Sequence, residues 1–215
     1  MKFTKRKVAW IFYLLSFAAI SLIKFRKSGR QRAEKAENTM HNVIEDIKEL
    51  FPVLEAANIS LDKLTRSEQI DAVEAFDIYS DCIAVINKIE VDFNKHTSKM
   101  KDSTKTYFEE WQKEIKKYKN RQIQILSFQR WVELDDIYRL IAQNSIGIYD
   151  SLKNYVINAS EIQNYLSNDL TPKGIETLAP LSKKVVNDGG ELAYLLINLQ
   201  TAIENTRKEI SQTTN

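Results

Sequence analysis

Phe108-Glu-Glu-Trp111-Gln-Lys-Glu-Ile115-Lys-Lys-Tyr118-Lys-Asn120 decides how this chain folds. Its apolar residues, Phe108, Trp111, Ile115 and Tyr118, recur every three or four positions, so they form one stripe of a helix whose other faces carry Glu and Lys. Lys113, Lys116, Lys117 and Lys119 crowd the last turns, where cations complement exposed carbonyls at the negative end of the helix dipole. Asn120 reads as the turn residue, because Asn tolerates a left-handed backbone and also caps helices well. The stretch is expected to be the closed end of a helical hairpin.

The same periodicity extends in both directions. Ala33, Ala36, Met40, Val43, Ile47, Leu50, Leu54 and Ala57 alternate steps of three and four, a heptad seam. Pro52 is expected to kink or end that helix, with residues 58–64 as the connection and Thr65 with Glu68 as a capping box for the next. A second inward stripe runs from Phe76, Tyr79 and Ile83 to Tyr118, and a third from Ile125 and Phe128 to Ile162 and Leu166. Thr171-Pro172 is a further start signal, a hydroxyl cap before proline at the first helical position. Beyond it Ile175, Leu178, Ser182, Val185, Gly189, Leu192, Leu196, Leu199, Ile203, Thr206 and Ile210 alternate without a break, and Pro180 is expected to kink the helix or separate a short first turn. The expected helices span about 31–57, 66–119, 122–167 and 172–211, an all-α, elongated antiparallel four-helix bundle or coiled coil. Five glycines and three prolines are too few for an all-β chain full of tight turns.

Charge is divided unevenly. The 215 residues sum to +2, yet residues 1–35 carry ten Lys or Arg and one Glu, leaving 21 positive and 28 negative groups for the rest. A basic stripe on the folded body, as phosphate neutralisation requires, is missing, so nucleic acid is not an expected partner. Cys82 is the single cysteine, which rules out an intrachain disulfide and a cysteine zinc site.

Residues 1–30 read as a separate segment ahead of a bundle domain at 31–215. Lys2, Lys5, Arg6 and Lys7 precede an uncharged run from Val8 to Ile23, which Lys24, Arg26 and Lys27 close. Sixteen helical residues rise about 24 Å, slightly short of a hydrocarbon core of about 30 Å. Flanking cations that snorkel make up the difference. A membrane-anchor helix and a secretory signal peptide, with Ser16-Phe17-Ala18 as a weak cleavage site, both fit; the trailing basic cluster favours the anchor. Membrane contact through residues 8–23 is the expected address, inner-membrane anchored or periplasmic in a bacterium. In that arrangement the anchor holds one end and the hairpin tip at 108–131 projects several tens of Å away.

The stretch Phe108 to Asn120, with Trp111 and Tyr118 within it and the later spacing Ile175, Leu178, Val185 and Leu192, resembles the bacterial domain of unknown function 2959 family. The similarity covers roughly residues 70–210. It implies a helical, envelope-associated protein and supplies no catalytic residues. Family members often look like lipoproteins, whereas no cysteine follows the Val8 to Ile23 run here.

Two candidate sites follow from the pattern. Turns centred at 120 and near 168 would set His96 level with Asn144 and Gly147 level with Gly190, so His96, Asn144, Gly147, Gly189 and Gly190 would share one mid-bundle layer. Small and polar residues there would loosen packing for a ligand or hinge; alternatively, a His-Asn hydrogen bond sets register beside a tolerated kink. The second candidate is the tip, Phe108, Trp111, Tyr118 and Asn120, whose aromatic spacing fits core better than an exposed partner surface. His41 lies four residues from both Glu37 and Glu45, but a metal needs ligands converging from several helices, so no metal and no cofactor are expected. Asn58-Ile59-Ser60 and Asn158-Ala159-Ser160 match the glycosylation pattern, the second inside a helix.

No nucleophile, base or metal constellation points to an enzyme. The leading expectation is a structural or protein-interaction module of the bacterial cell envelope, with an unidentified protein partner along the shaft or at the tip. A sensor whose mid-bundle layer binds a small ligand is the alternative, and ligand would then raise its thermal stability. A membrane-active helical protein would need a second apolar segment of membrane length, which the body lacks.

Overall fold

Four heptad seams can bury themselves only against one another, and the computed structural model shows them doing so. It describes residues 5–66 and 72–212, with side chains for residues 29–66 and 72–209. The chain forms α1 (Lys5–Thr65), α2 (Ala72–Ile115), α3 (Arg121–Asn168) and α4 (Pro172–Gln212), and no strand occurs among the described residues. Helices α1 and α3 each pack on both α2 and α4, so the four stand at the corners of a square with sequence neighbours antiparallel. The register is fixed by cross-helix contacts. Arg32 meets Glu114 and Asp46 meets His96 between α1 and α2; the Tyr79 hydroxyl bonds the Ala159 carbonyl, and the Trp131 indole the Phe108 carbonyl, between α2 and α3. Arg130 meets Glu209 between α3 and α4, and Arg207 meets Glu37 between α4 and α1.

The seams supply the core. All eight positions from Ala33 to Ala57 are buried, and so are Tyr79, Ile83, Ile86, Ile89, Phe93, Met100 and Phe108 of α2. In α3 the buried row is Leu134, Tyr138, Ile141, Ile148, Leu152, Tyr155, Ala159, Ile162 and Leu166; in α4 it includes Ile175, Val185, Leu192, Leu196, Leu199 and Ile203. At about 1.5–3 kcal/mol for each large apolar side chain removed from water, these rows hold together helices too long to stand alone.

Helix boundaries differ from the expected ones at three places. Helix α1 runs through Pro52 to Thr65 instead of ending near Ala57. Pro52 sits on the exposed face, and Leu54, Ala57, Leu61 and Leu64 continue the buried row beyond it. Four more seam residues outweigh a proline penalty of about 3 kcal/mol. Pro180 is accommodated in α4 on the same terms, exposed and inside the helix. Thr65 does not open α2: its hydroxyl bonds back to the Asp62 carbonyl, and its expected capping partner Glu68 lies outside the described residues. Helix α2 stops at Ile115, with Lys117 and Tyr118 amides closing on the Glu114 and Ile115 carbonyls.

At the hairpin end the stripe stops being core. Tyr118, Ile125 and Phe128, expected to face inward, are exposed. The described part of α4 ends at Gln212, three residues past the Glu209 that meets Arg130, so the first turns of α3 project beyond the described part of α4.

One topological expectation is reversed. Arg32, where α1 joins the bundle, pairs at 2.5 Å with Glu114, one residue from the end of α2. The N-terminal segment therefore leaves the bundle at the α2–α3 tip rather than opposite it. Val8 to Ile23 lie outside the residues with described side chains, and among the described residues no helix is long and apolar enough to cross a membrane.

Candidate functional site

Six aromatic rings gather where α2 turns into α3. Phe108, 3% exposed, touches the rings of Tyr107, Trp111, Trp131 and Tyr138, with centroids 4.7–6.4 Å away. Phe128 stacks on Trp131 from outside, at 5.8 Å and 17°. Both indoles are used as clamps: Trp111 Nε1 donates to Ser127 Oγ at 3.1 Å, and Trp131 Nε1 donates to the Phe108 carbonyl at 3.0 Å. Rings that bury area and satisfy their polar atoms hold the two helices in register.

Asn120 begins α3. Its backbone is extended, at φ −79° and ψ 114°, not left-handed, and its Oδ1 accepts from the Gln122 and Ile123 amides. Of the four expected tip residues, then, Phe108 is core, Trp111 is half-buried, Asn120 is an N-cap and Tyr118 is exposed. The outer surface is basic and apolar together. Lys113, Lys116, Lys117, Lys119 and Arg121 fall within nine residues of one acid, Glu114, which Arg32 holds. Beside them Tyr118, Ile123, Ile125, Leu126 and Phe128 expose 43–56% of their surface.

Just inside the tip, charged groups from all four helices meet. Arg32 pairs with Glu114, Arg207 with Glu37, and Arg130 with both Glu133 and Glu209. The Tyr138 hydroxyl and the Nε atoms of Arg32 and Arg207 are buried without a hydrogen-bond partner. Burial pushes the Tyr107 and Tyr138 hydroxyls up, so both stay protonated; Arg32 and Arg130 oppose the shift at Tyr107. On the α2–α3 flank a groove of about 390 Å³ is lined by Thr104, Phe108, Trp131, Asp135, Tyr138 and Arg139, among others. Asp135 is held there by Arg139 at 2.7 Å. Nothing in the periodic pattern announced this ionic layer, since it is made by residues flanking the stripes rather than in them.

The residues expected to share a mid-bundle layer are not brought together. His96 donates from Nδ1 to Asp46 Oδ2 at 2.7 Å, while Asn144 is exposed. Gly147 and Gly190 face open space. Gly189 is buried, packed under Asn58, whose Oδ1 accepts from the Tyr155 hydroxyl at 3.1 Å. Asp46 and Asn58 are twelve residues apart on α1, about 18 Å, so His96 and Gly189 occupy different levels. The register arithmetic misplaced Gly189 along the bundle relative to His96, and it carried no information about which face each residue takes.

His41 is exposed, 3.8 Å from Glu45. Among the described residues no group of three His, Cys, Asp or Glu side chains could hold a metal ion. Asn158 lines a second groove, of about 350 Å³, with Tyr155, Lys184, Asp188 and Leu192 among its other walls. Cys82 is a free, half-buried thiol. Comparison with known proteins finds no matching family model, no matching curated protein and no matching solved structure.

Proposed function

We propose that this protein is a non-enzymatic, membrane-tethered helical module of a bacterial cell envelope, held through residues 8–23 and presenting its shaft to a protein partner. The observation that carries this reading is the coincidence of basic charge at one end. Residues 24–35 hold six Lys or Arg, and residues 113–121 hold five more. The Arg32–Glu114 pair lies at the end that both clusters share. A chain that leaves a bilayer through a basic juxtamembrane segment is attracted to anionic headgroups there.

Fractionation of native cells, followed by N-terminal sequencing, tests the reading. The expected result is a protein that stays in the membrane pellet after alkaline carbonate extraction, with residues 1–30 still attached. A signal peptide would instead give a mature chain starting soon after Ala18. Recovery from the soluble fraction with an intact N-terminus overturns the tether.

A further inference from the structure

The α2–α3 tip carries two features that a bundle end does not need. Tyr118, Ile123, Ile125, Leu126 and Phe128 are large apolar side chains left in water within eleven residues. Lys116, Lys119 and Arg121 are exposed beside them, and Lys116 and Lys119 lie in the connection between helices, where they support no helix face. Scattered exposed apolar residues are ordinary, but five within eleven residues, beside four cations and with no acid from Ile115 to Val132, mark a contact surface. Amphipathic surfaces that rest on bilayers combine Lys and Arg with Phe, Tyr and Leu in this way. The α3 N-terminus, capped by Asn120, adds the positive end of its dipole at the same tip.

We infer that the α2–α3 tip, residues 116–128, docks on the surface of an anionic bilayer, its cations against headgroup phosphates and its apolar side chains in the interface. The inference rests on the tether proposed above, because the N-terminal segment leaves the bundle beside this tip and would bring it to the same membrane. Charge complementarity selects the occupant. Residues 115–128 carry four Lys or Arg and no acid, and a bilayer rich in acidic lipid offers such a surface a continuous plane of negative charge at the end where the N-terminal segment leaves; the acidic faces of a second copy are the competing occupant that the protein-density arm below tests.

The test uses the full chain on vesicles of phosphatidylcholine alone, and of phosphatidylcholine with about a third phosphatidylglycerol. Amide hydrogen exchange over 116–128 and vesicle co-sedimentation are read together. At about 1 kcal/mol for each cation near the surface, or about fivefold, the triple variant Lys116→Gln, Lys119→Gln, Arg121→Gln should lose about a hundredfold of the gain conferred by acidic lipid. Leu126→Ser with Phe128→Ser should lose exchange protection at the tip on acidic vesicles. All five side chains are exposed, so circular dichroism melts should match the parent's within about 2 °C. Acidic-lipid protection that these variants retain in full overturns the dock. Protection that appears equally on neutral vesicles, and grows with protein density, overturns it in favour of self-association. Failure to stay on neutral vesicles, with the acidic-lipid response intact and lost in the triple variant, removes the tether and supports the dock.

Discussion

His96 Nδ1 lies 2.7 Å from Asp46 Oδ2, joining α2 to α1 midway along the bundle in a contact that only 8% of Asp46's surface escapes. Burial raises the Asp46 pKa more than the bond from His96 lowers it, and Asp92 and Glu49 push the same way as burial. A carboxyl whose folded pKa exceeds its unfolded one favours the fold fully below the ordinary carboxylate range and loses that contribution as pH rises through the folded pKa. Asp46→Asn keeps an acceptor for His96 without the buried charge. It should melt higher than the parent at neutral pH, with the gap closing below about pH 4, where the parent is itself protonated. Melts of both proteins across that range decide it, and a lower Tm for the variant at pH 7 contradicts the assignment.

Three helical glycines should respond differently to one added methyl. At Gly147 and Gly190 a Cβ meets nothing within 4 Å, so alanine gains helix propensity alone, about 0.5–1 kcal/mol each. At Gly189 it would meet the Asn58 amide, with Cγ at 2.8 Å, and Asn58 can retreat only by giving up the Tyr155 hydroxyl. Gly147→Ala and Gly190→Ala should each raise Tm by about 2–4 °C, and Gly189→Ala should fail to raise it or lower it.

Phe108 and Phe128 belong to the same aromatic cluster but not to the same environment. Phe108→Ala should cost about 3–5 kcal/mol in urea unfolding, because it opens a cavity among four rings. Phe128→Ala, at an outer face 48% exposed, should cost less than about 1 kcal/mol. Equal losses would mean that the outer ring is held as firmly as the inner one.

The Arg32–Glu114 pair keeps about a fifth to a third of each side chain in water, so its coupling is screened and worth about 1 kcal/mol in a double-mutant cycle. Arg32→Ala should also speed amide exchange around residues 29–36 relative to the rest of α1. Molar salt should shrink the coupling, and a coupling indistinguishable from zero at low salt would leave the α1 entry point held by apolar packing alone.

Most of the architecture was legible because burial in a long bundle repeats. A row such as Met40, Val43, Ile47, Leu50 states a period, a face and a direction at once, and each of these residues is buried. Boundaries were less legible: Pro52, expected to kink or end its helix, does not end α1, and α4 runs on through Pro180, since a proline on the wet face costs less than the seam beyond it contributes. The candidate layer around His96 was misjudged for a different reason. Its partner Asp46 lies on α1, which the α2–α3 register does not mention, and a charged residue next to a seam gives no sign that it will turn inward. The buried ends of Arg32 and Arg207 escaped notice likewise, as long side chains reach across faces that sequence spacing keeps apart.

Helix α3 is a single uninterrupted rod of 48 residues, about 70 Å from cap to cap. Its span is set by residue count, with no proline along it and its single glycine, Gly147, inside the continuous helix. The separation between the far turns and the tip is thus fixed by the number of helical residues between them. Excising one matched heptad from every helix would shorten that separation by about 10 Å while leaving both ends unchanged.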